Sequence, residues 1–186
     1  PDEGDIYIRG RKVAIQGPGT AIELGIGMVH QHFMLVEPFT VAENLVLGRE
    51  PVRRGLLDQK QAGEIVRELS QRYGLAVDPR AKIEDISVGM QQRVEILKAL
   101  YRGAEILIMD EPTSVLTPQE TAELIEVMRM LVLDGKTIIF ITHKLKEVME
   151  ASDVVTVIRR GRVIDSLPTR DTGVDRLAAL MVGRDV

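Results

Sequence analysis

The sequence predicts an α/β fold in which a buried sheet is flanked by helices and interrupted by a helical insertion. The apolar runs 106–109 and 137–141 each end in polar residues, as buried strands of parallel sheets commonly do. A further apolar run lies at 24–29, whereas residues from about 37 to 103 show helical spacing punctuated by proline and glycine. This order indicates two α/β segments separated by an inserted helical subdomain.

Composition limits the class of protein. The 186 residues suit one domain with a hydrophobic core, and 45% apolar with 28% charged residues is an ordinary globular mixture. Cysteine is absent, which excludes disulfides and thiolate metal sites. A net charge of −4 argues against general electrostatic binding of nucleic acid. No apolar run approaches the roughly 20 residues that span a bilayer, so we expect no direct membrane insertion.

The first residues predict a hairpin, a short helix and a strand. A turn in the opening residues 1–8 leads into a short strand, and after a turn at Gly10 a second strand is expected at 12–15, as in a hairpin. Thr20 and Glu23, three residues apart, then predict the capped start of a helix. The next apolar run, 24–29, predicts a buried strand.

The remaining elements follow from helical spacing and capping residues. Thr117, Pro118 and Glu120 give an N-cap, a proline at the first helical position and a glutamate at the third, which predicts a helix running to about Leu133. The other predicted elements are helices at 41–47, 59–73, 89–101, 144–151 and 174–182 and strands at 154–158 and 162–165.

Two carboxylates, Asp110 and Glu111, follow directly on the 106–109 run, where ligands bind in open α/β sheets. Adjacent strand residues point to opposite faces, so the two groups can take different roles. One can hold Mg²⁺ on nucleotide phosphates and the other can orient an attacking water. A strand that ends in a solvated acidic turn, which Pro112 would also suit, explains this stretch alone equally well.

Three other polar groups occupy positions that an ATP site needs. Gln31 follows a predicted strand, and its amide could reach Mg²⁺ or the attacking water. Ser87 and Gly89 open a helix whose N–H groups and dipole favour a phosphate. His143 follows another strand and could contact a γ-phosphate. Taken singly, each is better explained as a turn residue, an N-cap or a strand-end histidine, but their shared placement reverses that preference.

The order of these motifs resembles the nucleotide-binding subunit of ABC transporters. The matching stretches are Gln31 for the Q-loop, 86–94 for the signature, 106–111 for Walker B, 114–117 for the D-loop and His143 for the switch histidine. The resemblance covers essentially the whole chain and implies a P-loop NTPase-type (ABC ATPase) sheet. It assigns residues 1–36 and 104–186 to an α/β core and residues 37–103 to a helical subdomain that carries the signature.

Within that family the chain looks like the importers of simple sugars and nucleosides. The stretches that carry this likeness are 25–35, the signature variant 87–90 and 116–118. Two such domains usually share one polypeptide in that subgroup, and this chain resembles the first of them.

The sequence departs from the family pattern in its motifs and at its start. Val88 and Met90 replace a glycine and the glutamine of the usual signature, and Thr117 stands where the D-loop usually ends in aspartate. The only Gly-Lys-Thr, at 135–137, has Met130 where a P-loop needs glycine. The resemblance therefore implies a domain truncated at its N-terminus, and we expect this chain alone to lack ATPase activity.

The resemblance also implies roles and partners. ATP and Mg²⁺ are the implied cofactors, with Asp110 and Gln31 toward the metal, Ser87 and Gly89 toward the nucleotide of a partner domain, Glu111 as general base and His143 beside the transferred phosphate. The implied partners are a second nucleotide-binding domain and transmembrane permease subunits, with no nucleic acid, and the implied location is peripheral on the cytoplasmic face of the cell membrane.

Other interpretations stay open at this point. The chain could be a non-catalytic regulatory or scaffold half, or a soluble ABC ATPase that serves repair or translation. His30 and His32 could form a metal pair, and the basic cluster at 159–162 is either a solvated hairpin tip or a nucleic-acid patch. The apolar cluster at 33–39 fits both core packing and a docking groove for a permease.

Overall fold

The computed structural model describes residues 3–183 and arranges them as parallel and antiparallel strands with helices around one main core. The strands are β1 (Ile6–Ile8), β2 (Arg11–Val13), β3 (Ile26–Val29), β4 (Val52–Arg53), β5 (Leu56–Leu57), β6 (Ile106–Asp110), β7 (Thr137–Ile141), β8 (Val154–Arg159) and β9 (Arg162–Pro168). The helices are α1 (Pro18–Glu23), α2 (Val41–Val46), α3 (Gln59–Tyr73), α4 (Val88–Tyr101), α5 (Pro118–Leu133), α6 (Leu145–Ala151) and α7 (Val174–Val182).

The central sheet has the order β3-β6-β7, and both pairings are parallel. Met109 of β6 lies opposite Val29 on one side and Phe140 on the other. One residue later, Asp110 pairs with Ile141. Because the strands are parallel and in this register, all three end at the same edge of the sheet.

One face of this sheet forms part of the main core. Val29, Leu107 and Met109 are buried there. They join a cluster that includes Leu97 of α4 and Leu131 of α5. Fully burying such side chains contributes about 1.5–3 kcal/mol each relative to exposure, so this face anchors the sheet to the helices.

The opposite face of the sheet is only partly covered by residues 3–183, as a domain that lacks a strand from the middle of its sheet would be. Met28, Ile139 and Ile141 are 42%, 51% and 52% exposed. They alternate with the core-facing residues, as the period-2 geometry of a strand requires. Nothing in residues 3–183 covers these three side chains fully.

Helices predominate between β3 and β6. Val41, Leu45 and Val46 of α2 and Val66 of α3 are fully buried against α4. The short β4–β5 hairpin in this region was not expected from the sequence. Thr40 caps α2 through a reciprocal capping box with Glu43, a signal that sequence reasoning also missed.

Local signals predicted most helix boundaries correctly but failed at α1. The prediction for α5 is confirmed: Thr117 caps the helix, Pro118 opens it, and Glu120 completes a capping box. The predicted cap at Thr20 is wrong, because α1 begins earlier at Pro18, with Gly17 as its N-cap and no side-chain cap. Proline has no N–H and a φ already suited to the first turn, which explains the earlier start.

No helix within the described range 3–183 combines the length and the apolarity that crossing a membrane would require.

A first prediction concerns Gly27, whose lack of a side chain lets β3 approach α4 closely. A Cβ there would lie 2.8 Å from the Ala104 Cβ and 3.1 Å from the Ala99 Cβ. We expect Gly27→Ala to destabilise the full-length protein by about 1–3 kcal/mol through overpacking, measured as a shift in denaturant midpoint. Gly19→Ala is the control, because its Cβ would meet nothing within 4 Å. Equal stability of the two variants would contradict this account of the packing.

Candidate functional site

The carboxyl edge of the central sheet collects the polar residues that follow its three strands. Gln31 comes two residues after the end of β3, and His143 comes two residues after the end of β7. Asp110 ends β6 and Glu111 follows it. The parallel register therefore brings these four sequence-predicted residues to one edge, which we call the strand-edge site.

Within the strand-edge site, Glu111 and His143 are in direct contact. The Glu111 Oε1 atom lies 2.8 Å from the His143 Nδ1 atom. The Glu111 backbone N–H donates to the Ile141 carbonyl over 2.9 Å, which extends the β6–β7 pairing by one residue. The Glu111 side chain is 20% exposed and that of His143 is 69% exposed. The pair is thus a carboxylate set into the protein and an imidazole that reaches solvent.

The backbone of Glu111 is strained. Its φ is 45°, in the left-handed region that residues other than glycine rarely adopt. Such residues cost about 1–3 kcal/mol each and persist where the surrounding structure imposes them, often at functional sites. At this position the conformation ends the strand abruptly and aims the carboxylate at His143.

The second carboxylate oxygen of Glu111 has no protein partner. Oε2 is buried and accepts no hydrogen bond from the described residues. A buried acceptor left unpaired costs roughly 1–3 kcal/mol, so an oxygen kept in this state is suited to a group or water that arrives with the reaction. Chemically, an oriented carboxylate with one free oxygen can accept a proton from water.

A buried polar network fixes the turn after Glu111 against the start of α6. Thr113 is 3% exposed, and its Oγ1 donates to Glu147 Oε2 over 2.6 Å. The Lys144 ammonium donates to the Thr113 carbonyl over 2.8 Å and lies 3.2 Å from Glu147. Thr113 lies two residues after Glu111 and Lys144 directly follows His143, so the network ties together the two segments that carry the contacting residues. Sequence reasoning missed it, although Lys144 and Glu147 have the spacing of one helical turn.

The residues predicted for Mg²⁺ can supply only some of the ligands that this ion requires. Asp110 is half-buried at the strand end, and Gln31 is exposed in a bend. No group of three or more His, Cys, Asp or Glu side chains among the described residues is placed to hold a metal ion. Mg²⁺ normally keeps several waters and binds through one or two carboxylates together with substrate phosphates. One carboxylate and one amide therefore suit Mg²⁺ that arrives with a nucleotide.

Ser87 and Gly89 lie apart from the strand-edge site, at the N-terminus of α4. Ser87 caps this helix, and its Oγ accepts from the Met90 N–H over 3.3 Å. Together with Glu120 of α5, the two residues line a cavity of about 260 Å³, and none of the strand-edge residues lines it. The structure thus separates the sequence-predicted residues into two groups.

A carboxylate already faces the N-terminus of α4. A Cβ on Gly89 would lie 2.5 Å from Glu120 Oε1, so only glycine permits this approach. The other oxygen of Glu120 accepts from the Thr117 N–H over 3.0 Å and from its hydroxyl over 2.9 Å. These bonds, with smaller contributions from the Gly89 N–H and Arg93, hold the pKa of the Glu120 carboxyl below its usual value. In this structure the Gly89 N–H therefore faces an internal anion.

The other sequence interpretations have structural outcomes. His30 and His32 are both exposed, and no metal-binding group of three includes them within residues 3–183. Arg160 occupies the turn of the β8–β9 hairpin with a φ of 50°, as expected for a hairpin tip. In the apolar cluster at 33–39, Leu35 packs on the core whereas Met34 is 63% exposed. This segment is thus part core and part surface.

Comparison with known proteins gives a family match over part of the chain and relatives that match all of it. The family model described as ABC transporter matches residues 1–114. The chain is 62% identical over 186 residues to the guanosine import ATP-binding protein NupO of Bacillus subtilis (strain 168). It is 45% identical over the same length to the ribose import ATP-binding protein RbsA 3 of Rubrobacter xylanophilus. All of the chain is covered in both cases, but it spans only 36% and 38% of these relatives.

The fold also matches solved structures. The crystal structure of a nucleotide-free ATP-binding cassette from an ABC transporter superposes with a TM-score of 0.76 at 22% sequence identity. The match covers 90% of this chain and 70% of that one. This likeness establishes the fold.

A second prediction tests the contact between α4 and α5. Thr117→Val removes one of the hydrogen bonds that favour ionised Glu120, so we expect the pKa of this carboxyl to rise toward its usual value. Titration of the Glu120 carboxyl carbon by NMR measures it. Thr156→Val, which removes a hydroxyl bonded to Ser166, is the control. An unchanged pKa in Thr117→Val would show that the hydroxyl does not stabilise the carboxylate.

Proposed function

Since the chain belongs to the ABC transporter family, we propose that, within the full-length protein, it serves the binding and hydrolysis of ATP for an importer of nucleosides or simple sugars, and that the chain alone is inactive. Hydrolysis would drive a permease between its inward-facing and outward-facing states. The observation that supports ATP hydrolysis is the Glu111–His143 contact at the edge of a parallel sheet. In this contact the second carboxylate oxygen of Glu111 stays unpaired. The names of the relatives, which include guanosine and ribose importers, support the substrate class.

Glu111 acts as the general base in this proposal. The hydrogen bond at Oε1 fixes the carboxylate, and the free Oε2 takes the proton of the attacking water. The strained backbone of Glu111 and the Thr113–Lys144 network keep this orientation before the substrate arrives. Such preorganisation lowers the barrier because no reorganisation is needed during the reaction.

His143 orients the base and faces the transferred phosphate. Its Nδ1 atom is engaged by Glu111, which fixes the plane of the ring and leaves Nε2 for the phosphate. Asp110 and Gln31 are the proposed ligands for Mg²⁺ bound with ATP. When bound, the ion neutralises charge on the phosphate oxygens.

Ser87 and Gly89 are proposed to contact ATP held by a second nucleotide-binding domain. They lie in a cavity separate from the strand-edge site, which suits the site of another subunit. A phosphate at this helix N-terminus would compete with the Glu120 carboxylate for the Gly89 N–H. Transmembrane permease subunits are the other proposed partners, and the proposed location is the cytoplasmic face of the cell membrane.

The two alternative functions have less support. Proteins named as import subunits, rather than repair or translation factors, are the relatives at 45% to 62% identity. The non-catalytic alternative rests on the altered signature and on Thr117. Thr117, however, has an ordinary structural task as the N-cap of α5, and the Glu111–His143 contact favours catalysis.

The third prediction tests the base. In the full-length protein, Glu111→Gln should still bind Mg-ATP but lose hydrolysis by about 10²–10⁴-fold, because an amide cannot accept the proton of the water. Phosphate release and equilibrium ATP binding measure the two effects. Glu105→Gln, an exposed carboxylate just before β6, is the matched control and should hydrolyse normally. Retained hydrolysis in Glu111→Gln would exclude this residue as the base.

The fourth prediction concerns the histidine. His143→Ala should slow hydrolysis by about 10²-fold or more, because the variant loses both the orientation of Glu111 and a contact to the phosphate. The measurement is kcat for ATP hydrolysis at saturating Mg-ATP. Lys146→Ala, an exposed change in the helix that follows His143, is the control. Full activity in His143→Ala would remove this histidine from the mechanism.

A further inference from the structure

A short irregular segment after Gln31 has its backbone bound by side chains from α4. The Met34 N–H donates to Glu95 Oε1 over 3.0 Å. The Lys98 ammonium donates to the Met34 carbonyl over 2.8 Å. Both polar backbone groups of one loop residue are thus satisfied by two side chains of α4, one helical turn apart.

The two side chains that bind Met34 are themselves a buried ion pair. The Glu95 side chain is 5% exposed and the Lys98 side chain 14%, with 3.7 Å between their charged atoms. Burying two charges costs several kcal/mol per ion unless they also have good hydrogen-bond partners. Those partners are the N–H and carbonyl of Met34. The buried ion pair is therefore stabilised only while Met34 stays in this position.

A second pair of side chain to backbone hydrogen bonds holds the same segment two residues later. The fully buried Asn44 of α2 accepts from the Val36 N–H over 2.7 Å and donates to the Val36 carbonyl over 3.0 Å. Residues 34–36 are consequently fixed to the helices rather than to the sheet.

Gln31 lies between two anchors on different parts of the fold. On one side, Val29 is paired with Met109 in the sheet. On the other, Met34 is bound to α4 through Glu95 and Lys98. Only four residues separate Val29 from Met34, so a shift of α4 relative to the sheet must change the backbone around Gln31.

We propose that Glu95 and Lys98 are positioning residues that set the location of Gln31 by tying the end of its loop to α4. Through them, the helix that begins at Ser87 and the strand-edge site are mechanically connected. The effect on catalysis rests on the proposed ATPase function, whereas the effect on the loop does not.

The experiment is a double-mutant cycle in the full-length protein. We expect Glu95→Ala to lower kcat for ATP hydrolysis by about tenfold or more, through misplacement of Gln31, with little change in KM. Glu95→Gln keeps an acceptor for the Met34 N–H and should retain most activity. In a Gln31→Ala background Glu95→Ala should cause no further loss of kcat, because Glu95 acts on hydrolysis only through the position of the Gln31 side chain. Glu64→Ala, in an exposed ion pair on α3, is the control.

Hydrogen exchange of the Met34 amide gives a readout that is independent of activity. Exchange of the Met34 amide should rise about tenfold in Glu95→Ala, which loses the acceptor of that N–H, while the amides of β3 keep their protection. If Glu95→Ala does not fold, Lys98→Met gives the same test through loss of the bond to the Met34 carbonyl.

Unchanged exchange, or an undiminished effect of Glu95→Ala in the Gln31→Ala background, would overturn this inference. Absent hydrolysis in the parent protein with the expected exchange would overturn the proposed function alone.

Discussion

The parallel pairing of β6 between β3 and β7 is the constraint on which the strand-edge site depends. Its register places Gln31, Asp110, Glu111 and His143, which are far apart in the chain, at one edge of a sheet. Burial of Leu107 and its neighbours on one face fixes that register, because a slip of one residue would expose the core-facing side chains. The chemistry at the edge is thus held in place by packing beneath it.

Helix α4 connects the other functional features. Its N-terminus carries Ser87 and Gly89 and meets the carboxylate of Glu120. Its middle holds the loop after Gln31 through Glu95 and Lys98. One rigid element therefore contacts both the candidate phosphate site and the loop of a strand-edge residue. Ligand binding at one end of such a helix can alter the geometry at the other, because its buried contacts leave little room for independent movement.

Most secondary structure followed from local signals, whereas the contacts that shape the sites did not. The capping residues of α5 and the regular spacing of α3 act within a few residues of one another, so sequence reasoning placed both helices correctly. The strand-end residues were also found, because apolar runs that end in polar groups are visible locally. Glu95 and Met34 are 61 residues apart, and nothing in a local pattern pairs them. The exposed sheet face follows from the expected truncation at the N-terminus, because a missing strand leaves apolar side chains uncovered.

The most direct test of the central claim follows Glu111 and His143 while nucleotide binds. The full-length protein would be titrated with Mg-ATP while NMR monitors the Glu111 carboxyl carbon and the His143 imidazole nitrogens, with Glu105 as an internal reference. The account predicts that both Glu111 and His143 signals shift along the same saturation curve while the Glu105 signal does not move. Saturable ATP binding that leaves both signals unchanged would contradict the assignment of the strand-edge site as the place of hydrolysis.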